Sequence, residues 1–67
     1  MKTLYRVKYK NKSLIAKSCT DKECSTLSNK GKNKHLAPFS QGFVNLFDND
    51  NNHIAWCGIN YAENNQG

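Results

Sequence analysis

From Tyr5 to Lys12 the chain reads Tyr-Arg-Val-Lys-Tyr-Lys-Asn-Lys, setting Tyr5, Val7 and Tyr9 at odd positions and Arg6, Lys8, Lys10 and Lys12 at even ones. Only an extended chain sends these two sets to opposite sides; a helix would mix them around its circumference. The β-branched and aromatic residue types suit a pleated surface. The aromatic side therefore needs cover from elsewhere in the chain. The other side presents a row of cations ~6.7 Å apart, twice the rise per strand residue.

Sixty-seven residues provide for a single domain whose core is only marginally stabilising. The first strand is expected over residues 3–11, with Asn11-Lys12-Ser13 as a tight turn and residues 14–18 as a shorter partner strand. Thr20-Asp21-Lys22-Glu23 is a capping-box pattern, in which the Thr20 hydroxyl and the Glu23 carboxylate satisfy each other's backbone N–H. It predicts a short helix over residues 21–29, stopped by Asn29 and Gly31. Residues 29–35 read as a basic loop, and Pro38 bars a helix from the stretch that follows. Leu36 and Phe39 are expected to tuck that connection onto the core. Residues 43–47 and 53–61 read as two strands around the Asp/Asn-rich turn 48–52, and residues 63–67 as a disordered tail.

The expected fold is thus α+β over residues 1–62: two hairpins forming an antiparallel sheet with one short helix, in the order ββαββ. The alternative is a small, mostly β barrel in which residues 20–30 are a turn. The second hairpin is apolar on both faces, more than one helix and one loop can cover. Phe43, Phe47, Trp56 and Tyr61 are accordingly read as a hydrophobic interface for a partner or for a second copy, making a homodimer.

Three cysteines, an odd number, argue against a disulfide framework and for reduced thiols in the cytoplasm. The initiating Met1 is read as the start of a complete small gene product; no apolar run follows Met1-Lys2 as in a secretory signal, and no stretch approaches the ~20 apolar residues of a membrane span. Cys19 and Cys24, with His53 and Cys57, have spacings seen in zinc sites. Residues four apart on a strand lie ~13 Å apart, however, so His53 and Cys57 could not share an ion, and no metal is expected. Asp48-x-Asp50-x-Asn52 opens like a calcium loop but has His53 where glycine belongs and Ile59 where a bidentate glutamate belongs; it reads as a turn. No base and orienting acid accompany any cysteine, and phosphate-cradling glycine loops are absent. The chain is read as a non-enzyme without a cofactor.

Charge is the strongest functional signal. Residues 1–35 hold all ten cations against two carboxylates, net +8, whereas residues 36–67 hold three carboxylates and no Lys or Arg, net −3. Such polarity orients a field toward an anionic partner. Arg6, Lys8 and Lys10 with Lys30, Lys32 and Lys34 are expected to form the binding patch. The expected function is a regulator or inhibitor that docks a larger protein or nucleoprotein machine, by analogy with small proteins of phages and mobile elements. Sequence-nonspecific DNA or RNA binding through the same lysines is the alternative.

Overall fold

The structure, a computed structural model, describes residues 1–28 and 36–67. Strand β1 (Lys2–Tyr9) and β2 (Lys12–Ser18) form the first hairpin, and β3 (Phe43–Phe47) and β4 (His53–Gly58) the second. Together they make one antiparallel sheet in the order β1-β2-β3-β4, with helix α1 (Asp21–Ser28) between the hairpins and a second helix, α2 (Ile59–Asn64), after β4. The sheet is open, so the barrel alternative gives way to the α+β reading.

The alternation of β1 sorts the sheet into two faces. Tyr5, Val7 and Tyr9 share a side with Leu14 and Ala16 of β2, Val44 and Leu46 of β3, and Ala55 and Cys57 of β4. Ala62 and Ile59 of α2 close over this core, in which Val7, Ala16, Val44, Leu46 and Ala62 are fully buried. The covering helix is therefore α2, a departure from the expected strand over 53–61. Gly58 ends β4 in an extended conformation, and Ile59 and Ala62, three residues apart, then present one apolar helical stripe. The tail reading of residues 63–67 is likewise corrected. The Lys8 N–H donates to the Asn65 carbonyl at 2.8 Å, the Gly67 N–H to the Arg6 carbonyl at 3.2 Å, and Gln66 bridges Val7. The last residues thus line the outer edge of β1.

The first turn lies one residue earlier than expected, at Lys10-Asn11, because both residues adopt left-handed backbone (φ 48° and 65°). That pair of positive φ values is the mark of the type I′ turn, whose twist matches its flanking strands. At α1 the capping box forms in both directions: the Thr20 N–H donates to Glu23 Oε1 at 3.0 Å and the Glu23 N–H to Thr20 Oγ1 at 3.1 Å. The Met1 amino group pairs with the same carboxylate. Among the described residues no helix is long and apolar enough to cross a membrane.

Candidate interaction surface

The sheet's second face carries what the core does not. Strand alternation and register place Arg6 and Lys8 of β1 there, with Ile15 and Lys17 of β2, Phe43, Asn45 and Phe47 of β3, and Trp56 of β4. Arg6, Ile15 and Phe47 form one cross-strand row. The turn after β3 folds toward this row and is built on Asp48. The Asp48 carboxylate accepts the N–H groups of Asp50 and Asn52, each at 2.9 Å, and the Asn52 side-chain amide at 3.2 Å. These donors, the Asn52 backbone N–H foremost, hold the Asp48 carboxyl below its ordinary pKa. Both Asp48 oxygens are thereby engaged within the turn.

So braced, the turn aims two neutral side-chain oxygens at the cations. Arg6 donates to Asn49 Oδ1 at 3.1 Å and to Ser13 Oγ at 3.3 Å. Lys17 donates to Asn51 Oδ1 at 2.6 Å, with its ammonium 4.8 Å from the centre of the Phe47 ring. Lys8 stands exposed beside Arg6. Among the described residues the one ion pair is that of the Met1 amino group with Glu23. Arg6 and Lys17 are therefore held in place by amides and a hydroxyl that leave their charge unneutralised.

Lys10 stands apart from this group. Its left-handed backbone ends the alternation, and its ammonium lies 5.5 Å from the ring centre of Tyr9, a core-face residue. Lys30, Lys32 and Lys34 lie outside the described residues. Of the expected hydrophobic set, Phe43 and Trp56 do meet, edge to face with ring centres 5.1 Å apart, and Trp56 is 47% exposed. Phe47 is corrected to a buried residue, only 1% exposed beneath Lys17 and against the His53 ring. Tyr61 is exposed, but it sits on α2 against Tyr9, across the sheet from Trp56, and shares no surface with it.

Asn45 was hidden in an apolar run of sequence and is fully buried here. Its side-chain amide accepts from the Ala37 N–H at 2.9 Å and donates to the Ala37 carbonyl at 3.0 Å, clipping the connection 36–38 onto the second face. Farther along, the Phe39 N–H donates to the Cys19 carbonyl at 2.8 Å; the Phe39 side chain is 42% exposed and does not tuck in as expected, while Leu36 is half-buried.

The four residues with zinc-like spacing are dispersed. Cys57 is in the core beneath α2, the His53 ring faces Phe47 on the other side of the sheet, and Cys19 and Cys24 meet at the junction of β2 and α1. Burial, and then the hydrogen bond with Cys24, push the Cys19 thiol up to about 12. All three cysteines are free thiols. Among the described residues no three His, Cys, Asp or Glu side chains converge as metal ligands. Comparison with family models, with curated proteins and with solved structures finds no match for this chain.

Proposed function

We propose that this chain is a non-enzymatic binding protein that docks the anionic surface of a larger protein and acts as its regulator or inhibitor. The observation that carries the reading is the pair of cations, Arg6 and Lys17, held on one sheet face by neutral oxygens. A carboxylate in place of Asn49 or Asn51 would hold them as well and cancel their charge. Amide partners keep them ordered yet available, so less side-chain entropy is lost when an acidic partner binds. Trp56 on Phe43, on the same face, supplies an aromatic anchor of the type that dominates protein interfaces. Three free thiols suit a reducing, cytoplasmic setting.

The test is capture of a partner from host lysate by the parent chain, by Arg6→Glu/Lys8→Glu, and by Lys22→Glu on α1 as a charge control. Loss of the same protein with the double variant and its retention with Lys22→Glu is the expected result. Equal capture by all three overturns the reading. Binding to DNA or RNA that falls steeply with salt and disappears in the double variant would instead establish the lysines as phosphate contacts.

A further inference from the structure

The two edges of the sheet are treated differently. The outer edge of β1 is lined by residues 65–67. Beyond β4 no strand lies among the described residues. The Ile59 N–H donates to the Gly42 carbonyl at 2.9 Å, and antiparallel residue pairs alternate between bonded and non-bonded. Val44 and Cys57 are therefore a bonded pair, and the N–H and C=O of Trp56 and the N–H of Gly58 point away from β3. Monomeric proteins usually guard such an edge with lysine, proline or an inward charge. Residues 53–58, His-Ile-Ala-Trp-Cys-Gly, carry none of these. Their one guarding device is the bulge that makes Ile54 the extra residue, and it leaves Ile54 44% and Trp56 47% exposed.

We propose that β4 pairs antiparallel with β4 of a second copy about a two-fold axis, joining two four-stranded sheets edge to edge. At β4, charge does not oppose this occupant. Each chain carries +5, so two copies repel at most approaches, but β4 has no charged residue. The cations of β1 lie three strand spacings away, ~14 Å, beyond the ~8 Å screening length at physiological salt, and the nearer Lys17 is held to Asn51 at the turn rather than on β4 itself. Shape agrees with charge. With Trp56 opposite Trp56 of the second copy, Ile54 falls opposite Gly58 of that copy, where a Cβ would meet nothing within 4 Å. The assembly is also self-limiting: it uses the open edge of each chain, and residues 65–67 occupy the other. The pairing uses the backbone of β4 and leaves Arg6 and Lys8 toward the outer ends of the joined sheet; of the residues in the docking role it engages Trp56 alone.

A six-residue edge is small beside the ~1,600 Å² of a standard interface, so the dimer dissociates on dilution. Sedimentation equilibrium from about 1 μM to about 1 mM should follow the mass from 7.6 kDa toward twice that value. Ile54→Lys and Trp56→Lys, checked by circular dichroism to be folded, should each weaken association at least about tenfold, and Lys8→Glu should not. In the parent chain, exchange of the Trp56 and Gly58 amides should slow as concentration rises. A mass fixed at 7.6 kDa throughout, growth beyond twice that mass, or amide exchange indifferent to concentration overturns the proposal.

Discussion

Replacing Asn45 by alanine tests how the second face is assembled. The substitution removes two hydrogen bonds, the one accepted from the Ala37 N–H and the one donated to the Ala37 carbonyl. Each contributes about 1 kcal/mol net, and leaving the two Ala37 groups under-solvated adds to that. Ala37 is itself half-buried, so water reaches it in part and the addition is on the order of 1 kcal/mol. The expected loss is about 2–3 kcal/mol, against a total of about 3–10 kcal/mol for a chain of this length. That is a fall in Tm of roughly 10–20 °C by circular dichroism melting, with a matching shift in the urea midpoint.

Asn45→Asp adds a signature that a purely steric role lacks. Its carboxylate still accepts from the Ala37 N–H but sets a buried negative charge against the Ala37 carbonyl, whereas the protonated acid can donate there. The folded-state pKa of this aspartate is thus raised above the unfolded value. Its contribution is most favourable below the unfolded pKa and is lost as pH rises through the folded one. Relative to parent protein at the same pH, Asn45→Asp should be closer to normal near pH 4 than at pH 7. An Asn45→Ala variant within about 0.5 kcal/mol of the parent, together with a pH-independent Asn45→Asp, would refute the clip.

The Met1 amino group, and then Thr20, hold Glu23 at about 2, below its ordinary 4.5, so its contribution is present above 4.5 and lost as pH falls through 2; Glu23→Gln should flatten acid denaturation across that interval. Lys10→Asn, placing a residue tolerant of left-handed backbone at φ 48°, should stabilise the hairpin by about 0.5–1 kcal/mol in urea titrations. Asn65→Ala removes the donation from its side-chain amide to the Tyr61 carbonyl, 2.8 Å away, and should cost about 1 kcal/mol and speed exchange of the Lys8 amide. Thiol reagents should label half-buried Cys24 first and reach buried Cys19 and Cys57 only on unfolding.

Local codes in this chain carry far. Alternation in β1, the capping box at Thr20 and Glu23, and the Asp/Asn run after Phe47 each specify their own structure, because strand period, helix capping and turn formation are decided within a few residues. Two hairpins and one helix follow from them, as does an uneven charge. What failed was also local in appearance. The expectation that Ile59 and Tyr61 continue β4 rests on apolar residues that suit strand and helix alike, and the step at Gly58 is resolved only by the core that Ile59 and Ala62 cover.

By itself, then, the sequence determined the faces of β1, the hairpin elements, α1 and the sign of each half. Tertiary structure decided which aromatic residues remain outside: Phe47 is buried by Lys17 and His53, and Trp56 is left on an edge. It also decided which cations are held, since Asn49 and Asn51 lie 43 and 34 residues from the side chains they bind. The physical reason is range. Backbone preference acts between neighbours in the chain, whereas burial and charge placement depend on which distant strand comes alongside, and only the assembled register sets that.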